Sequence, residues 1–259
     1  MISILRAAVA TSIQDRGRYG HLAEGITISG AMDVASLDAT NALAGAMPGS
    51  AGIEFGPGPL RIEVHQGGTI AFGGAPRRGA PWWQTLAVRP GQTFELSSPQ
   101  SGVWSYLCVE GGVSAPLHMG SRSTTVREGI GSWLTAGSPV LAGHERAEPS
   151  VPQPPPMRGE IRMFGELLGA FIVGEKVDRM GYMLRGGSFA PYEAVDRSEP
   201  LLPGCVQVTP SGDAIALMAE APTVGGYRVE GVIHSADLRL LAQTPALHPI
   251  YFRNLSWMG

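Results

Sequence analysis

At 259 residues the chain can hold one large domain or two small ones, and with 44% hydrophobic and 16% charged residues it is neither a disordered tail nor a coiled coil. The net charge of −3 leaves no basic footprint for nucleic acid, and no apolar run reaches the roughly 18 residues that cross a membrane. With 36 glycines and 21 prolines set between short apolar stretches, the composition points to a loop-rich, mainly β globule.

The start, MISILRAAVATS, has too weak an apolar centre for a signal peptide and reads as a first strand. Residues 11–33, TSIQDRGRYGHLAEGITISGAMD, mix Asp15, Glu24 and Asp33 with two arginines, a histidine and four glycines, and fit neither a helix nor a phosphate loop. DVASLDATNALAG follows as a helix, with Asp33 as N-cap, Val34, Leu37 and Leu43 at helical spacing, and Gly45 as its stop.

Strand-like runs then recur between turn formers: LRIEV, TIAF, QTLAV, QTFELS, VWSYLCVE and PVLA. AVRPGQTFEL reads as strand, Pro-Gly turn, strand. STTVRE reads as a short helix. Residues 148–159, EPSVPQPPPMRG, are too rich in proline for a central strand and read as a linker. The expected division is therefore 1–148, a linker 149–159, and 160–259, with strands free to cross over. Beyond it come AFIV, CVQVT, AIALM, YRVEGVI and PIYF, a turn at residues 210–213, and a helix in HSADLRLLAQTP with Ser235 as N-cap and Pro245 as its end. So many strands need closure to hide their edges, which makes a barrel or sandwich the expected class.

Several chemistries are excluded by pattern. There is no Gly-x-Ser-x-Gly elbow, and the six histidines show neither HxH nor HExxH spacing, so no metal site is expected. Cys108 and Cys205 sit in apolar runs and read as buried thiols of a reducing, cytoplasmic protein. Lys176 is the only lysine; its context, GEKVD, is neither a Walker A loop nor a biotinylation turn. Four stretches stay as candidates: residues 11–33; VEGGVSAPLHMGSRSTTVREGIG; DRMGYMLRGG, a faint echo of QDRGRYGHLAEG; and AEAPTVGGYRVEG. Judged singly, each fits an ordinary loop, cap or bulge as well as it fits an anion site.

In their order along the chain, however, SIQDRGRYGH, GITISGAMD, ATNALAG, MGSRSTTVREGIG, DRMGYMLRG, LPGCVQVTPSGDAIALM and APTVGGY resemble the biotin-dependent-carboxyltransferase-like family. That family holds the C subunit of bacterial 5-oxoprolinase, the Kip antagonist and part of urea carboxylase, whose allophanate-hydrolase-subunit-2-type regions it shares. The resemblance implies a mainly β, cyclophilin-like barrel architecture, with two barrel-like halves and a few short helices. It implies a cytoplasmic hetero-oligomer with a Kip-inhibitor-like B subunit and a metal-dependent-deacetylase-like A subunit, which together open 5-oxoproline to L-glutamate with ATP and Mg. The ATP would be bound by, or shared with, a partner, and this chain would carry no covalent biotin and be inactive alone.

Carried over by motif, the catalytic candidates are Asp15, Arg122 and Arg179. The substrate-binding candidates are Gln14, Arg18, Asp33, Ser121, Ser123, Thr124, Tyr182, Gln207, Gly225, Gly226 and Tyr227. Arg122 and Arg179 would grip a carboxylate or acyl phosphate, and Asp15 would orient an arginine or accept a proton. The resemblance equally accommodates a non-catalytic regulator that binds a Kip-inhibitor-like protein, or a carboxyltransferase-type component for urea- or allophanate-like amides. The chain departs from the family pattern in a trimmed stretch between Pro156 and Arg179, in LAGAMPG, and in Glu220 where Asn or Asp is usual.

Overall fold

The computed structural model describes residues 2–165, 169–187, 189–190, 192 and 197–255; part of the trimmed stretch, residues 166–168, lies outside them. The chain forms two compact units, one of Met1–Arg18 with Asp33–Pro155, the other of Tyr19–Met32 with Pro156–Gly259. The later changeover falls inside the proline-rich stretch. The earlier one splits the 11–33 segment, so its two ends serve one unit and its middle the other.

The first unit contains β1 (Ile2–Arg6), β2 (Ser12–Gln14), α1 (Val34–Ala44), β3 (Gly52–Phe55), β4 (Leu60–Val64), β5 (Gly68–Gly74), β6 (Thr85–Val88), β7 (Thr93–Leu96), β8 (Ser105–Val109), β9 (Val113–Ser114) and β10 (Pro139–Ala142). They build two five-stranded sheets, ordered β7-β4-β1-β10-β9 and β2-β3-β8-β5-β6. Alternation sends Ile4, Leu60 and Ile62 of one sheet and Ile53, Phe72 and Leu107 of the other into a single apolar cluster.

The Pro-Gly turn after β6 does not close a hairpin. β6 pairs with β5 and β7 with β4, in different sheets. The backbone bonds of the turn go to β4, where Gly91 N–H donates to the Val64 carbonyl and Val64 N–H to that of Gln92. It therefore carries the chain from one layer to the other.

Helix α1 is capped as its sequence predicts, with Asp33 accepting from Ser36 N–H and Gly45 closing the end in the left-handed conformation. Leu37, Thr40 and Leu43 are buried against the second sheet. Glycines in the sheet let the helix come close. A Cβ on Gly73 would lie 2.0 Å from Thr40 Oγ1, and one on Gly52 would lie 2.8 Å from both Leu37 Cδ1 and Cys108 Sγ.

The second unit holds β11 (Ile161–Gly165), β12 (Gly169–Val177), β13 (Gly181–Arg185), β14 (Glu199–Pro200), β15 (Cys205–Val208), β16 (Ala214–Leu217), β17 (Val224–Gly225), β18 (Arg228–Ile233), α2 (Leu238–Ala242) and β19 (Pro249–Asn254). Seven strands close a barrel in the order β11-β18-β15-β16-β13-β12-β19, and β14 and β17 pair beside it. The seam is the parallel pair β11 and β19; the other barrel pairs are antiparallel. Phe171, Val173, Leu184, Val206 and Phe252 are buried in this unit. The mainly β, barrel-bearing architecture is as the sequence predicts; the ladder closes on itself in the second unit, and the first is two layers.

The helix expected at Ser235 begins as a 3-10 turn, Ser235–Asp237, and continues as α2. Its cap is His234 rather than Ser235, because the imidazole accepts from Ala236 N–H. The predicted element at STTVRE is a single 3-10 turn, Val126–Glu128. Both cysteines are buried free thiols. No helix among the described residues is long and apolar enough to cross a membrane.

Candidate functional site

The densest polar cluster of the first unit is built on Asp15, which follows β2. Its Oδ1 accepts from Ser121 Oγ at 2.6 Å, from Ser123 Oγ at 2.5 Å and from Gly17 N–H at 2.8 Å, while Oδ2 accepts from Arg122 N–H at 2.6 Å. Ser123 Oγ in turn accepts from Asp15 N–H, and Ser121 Oγ from Ser123 N–H. Gln14 reaches the same loop, its amide donating to the Thr124 carbonyl at 3.0 Å, and Thr124 N–H donates to the Ile13 carbonyl. Arg18 is almost wholly buried and donates to the Ser123 carbonyl. Seven predicted residues thus meet in one place: Gln14, Asp15, Arg18, Ser121, Arg122, Ser123 and Thr124.

The cluster divides its labour. The Asp15 carboxylate already accepts four hydrogen bonds, which is close to its capacity. It acts as an organiser of the 121–124 loop, with little left to receive a substrate proton. Arg122 is the opposite case. Its backbone is fixed by Asp15 between two pinned serines, its side chain is half-buried, and its Nε is buried without a hydrogen-bond partner. A guanidinium carried on a backbone fixed in this way is a candidate receptor for a planar anion.

Asp33 stands apart from this cluster. Both its carboxylate oxygens serve Ser36, and its N–H donates to Tyr106 Oη at 2.8 Å. Tyr106 donates onward to Glu54 Oε2, and both Tyr106 and Glu54 are fully buried. Burial and the neighbouring Glu54 and Asp33 carboxylates raise the Tyr106 pKa well above 10.0.

In the second unit Arg179 is already engaged. Its Nε donates to Glu220 Oε1 at 2.7 Å in an ion pair whose side chains are 4% and 5% exposed. A terminal nitrogen donates to the Gly30 carbonyl at 2.6 Å, next to Ser29, which takes a positive φ of 54° rare for a non-glycine residue. The carboxylate that Arg179 grips is therefore Glu220, and the pair ties the 19–32 excursion to β13 and β16.

The remaining candidates spread over the barrel. Tyr182 on β13 is buried and its hydroxyl donates to the Ala242 carbonyl of α2. Gln207 on β15 donates to the Tyr227 carbonyl at 3.1 Å. Gly225 lies so close to Leu201 and Gln207 that a Cβ there would fall 2.6 Å from Leu201 Cδ1, and one on Gly226 would be 3.4 Å from the Arg197 carbonyl. Tyr227 is exposed.

The two echoing stretches share a local geometry. Asp15 Oδ1 accepts from the N–H two residues on, and Asp178 Oδ1 does the same from Met180 N–H at 2.8 Å. Each begins its turn with an aspartate side chain in place of a backbone carbonyl. No motif in the sequence points to Glu54, Tyr106 or Ser29. The signal for Glu54 was a lone acid in the otherwise apolar run GIEF.

Comparison with known proteins places this chain in a family. The chain is 33% identical over 283 residues to the 5-oxoprolinase C subunit of Escherichia coli K12, with 97% of this chain and 90% of that protein covered. To the 5-oxoprolinase C subunit of Haemophilus influenzae Rd it is 31% identical over 285 residues, covering 99% and 92%. The crystal structure of TTHA0988 superposes with a TM-score of 0.84 at 27% identity over 97% of this chain, which spans 55% of that longer one. The family model described as carboxyltransferase domain, subdomain A and B, matches residues 24–167 and 166–254. The chain belongs to the family of carboxyltransferase domains with subdomains A and B.

Proposed function

We propose that this chain is one component of an ATP-dependent 5-oxoprolinase complex that opens 5-oxoproline to L-glutamate together with a Kip-inhibitor-like B subunit and an A subunit. Near-full-length similarity to two proteins named as the C subunit of 5-oxoprolinase supports the class of complex. The observation that carries the chemistry is Arg122, whose backbone N–H is fixed by Asp15 and whose partly buried side chain has an Nε without a hydrogen-bond partner. It would bind the carboxylate of 5-oxoproline or an acyl-phosphate oxygen, and the Ser121 and Ser123 hydroxyls would keep it aimed.

No group of three or more His, Cys, Asp or Glu side chains gathers among the described residues to hold a metal, and the single lysine, Lys176, is exposed on β12. In this reading ATP and Mg are bound by, or shared with, a partner, and no step is routed through them on this chain.

One observation favours a second reading, a non-catalytic regulator that binds a Kip-inhibitor-like protein. Of the two arginines expected to clamp substrate, Arg179 is neutralised internally by Glu220. Co-expression with the neighbouring genes' products, followed by an assay of ATP-dependent glutamate release from 5-oxoproline, separates the readings. Turnover that is lost in Arg122→Ala supports the first. A stable pair without turnover supports the regulator, and turnover that requires a biotinylated protein supports a carboxyltransferase component.

A further inference from the structure

The loop that carries Arg122 also carries an unusual surface. Leu117 is 56% exposed, Met119 43%, Val126 37% and Trp133 39%, so four large apolar side chains face solvent within residues 117–133. Two small fingers present them. One closes through the His118–Ser121 bridge with Met119 and Gly120 at its tip, the other through the Thr125–Ile130 bridge with Val126 in its 3-10 turn. Between the fingers lies the Ser121–Thr124 knot. Its hydrogen bonds to Asp15, Gln14 and Ile13 anchor the base of the two fingers beside β2.

Scattered apolar exposure is ordinary, but this set is concentrated and of a specific kind. Trp, Met and Arg are enriched at protein interfaces, and hot spots form where such side chains stand on a rigid base. Arg127, at the tip of the second finger, is exposed and has no ion pair among the described residues. With Arg122 it gives the patch two uncommitted positive charges.

We infer that residues 117–133 are the docking surface for a second polypeptide, one that offers an apolar groove rimmed by carboxylates and that closes over Arg122 when it binds. This rests on the reading above, in which the chain works as part of a complex. A second polypeptide is the expected occupant because the matching fold in TTHA0988 is only 55% of a longer chain, and because the relatives named above are called subunits. Closure would exclude water from the guanidinium and strengthen its hold on an anion. Docking and anion binding would then be coupled.

The test uses the full chain co-expressed with a tagged Kip-inhibitor-like protein from the same genome. Wild type is expected to co-purify. Leu117→Glu with Met119→Glu, and separately Arg127→Glu, should lower the recovered complex by about tenfold or more through a buried like charge. Val151→Glu, at an exposed apolar residue outside the loop, should leave recovery unchanged, and all variants should keep the wild-type melting temperature. Protection of Met119 from peroxide oxidation in the complex provides a readout that does not depend on any substitution. If wild type and the loop variants co-purify equally and Met119 is not protected, the surface assignment is overturned while the reading as part of a complex stands. If wild type itself fails to co-purify, both are overturned.

Discussion

Asp15 and Ser123, 108 residues apart, are bonded in both directions: the serine hydroxyl donates to Asp15 Oδ1 at 2.5 Å and accepts from Asp15 N–H at 2.9 Å. This reciprocal lock, joined by the Ser121 hydroxyl that also donates to Asp15 Oδ1, fixes the backbone on either side of Arg122. Asn at position 15 would keep one acceptor oxygen but turn an NH2 group toward Arg122 N–H. Asp15→Asn is therefore expected to cost about 1–3 kcal/mol in stability, measured by urea denaturation. It should also weaken phosphate binding at Arg122, followed by NMR titration. A variant with wild-type stability and phosphate affinity would show that Asp15 does not organise the loop.

Arg122 predicts the reverse pattern. With no partner to lose, Arg122→Ala should change the midpoint of unfolding little, while turnover of the reconstituted complex falls by about a hundredfold or more. Lysine in its place supplies charge without the forked geometry and should recover only part of that loss. Full activity of either variant would remove Arg122 from the site.

Arg179 and Glu220 form a buried pair, so removing one partner strands the other. Glu220→Ala is expected to destabilise by about 3–5 kcal/mol. Glu220→Gln, which keeps a hydrogen-bond acceptor for Arg179 Nε, should cost less. Because Arg179 also holds the Gly30 carbonyl, backbone amides near Ser29 should exchange faster in Glu220→Ala. Unchanged exchange there would mean that the pair does not secure the 19–32 excursion.

Much of this architecture was legible from local chemistry. Asp33 and Gly45 bracket α1 because cap and stop are written in adjacent residues, and strands such as LRIEV announce themselves by alternation. What remained hidden depends on partners far along the chain. The sequence pattern does not announce β3 and β13 as strands: GIEF is buried along its whole length, and GYMLR, though it alternates in burial, runs three large apolar residues together inside a glycine-rich motif. The turn at Gly91 looks local, but its bonds run to Val64. In the site, the residue types near Arg122 were apparent, yet nothing local distinguishes an arginine that stays unpaired from one, like Arg179, that finds a buried glutamate.

The close approach of α1 to β5 gives a packing test. A methyl on Gly73 would meet Thr40 Oγ1 at 2.0 Å and the Trp83 ring at 2.8 Å. Gly73→Ala should destabilise by about 1–3 kcal/mol, since the fully buried Thr40 has no room to retreat. Adding Thr40→Ala removes the nearer clash and should restore part of the loss, with the Trp83 contact remaining. An unaltered melting temperature for Gly73→Ala would show that the helix can lift at no cost.

Tyr106 yields a prediction about pH. Its hydroxyl donates to Glu54 and accepts from Asp33 N–H, and its ionisation in the folded state is pushed well above 10.0, chiefly by burial and then by the Glu54 and Asp33 carboxylates. The unfolded chain releases that proton near pH 10, the folded chain only at higher pH. Between those values the folded state binds more protons, so raising the pH favours unfolding. The contribution is thus complete below pH 10 and declines as the pH rises toward the folded value. Tyr106→Phe leaves Glu54 Oε2 without this donor and should be less stable by about 1–3 kcal/mol at neutral pH. Its stability, measured by urea denaturation at a series of pH values, should differ from wild type by a constant amount below pH 10 and by a shrinking amount above it. A gap that stays constant into the alkaline range would mean that Tyr106 ionises as readily in the fold as in the unfolded chain.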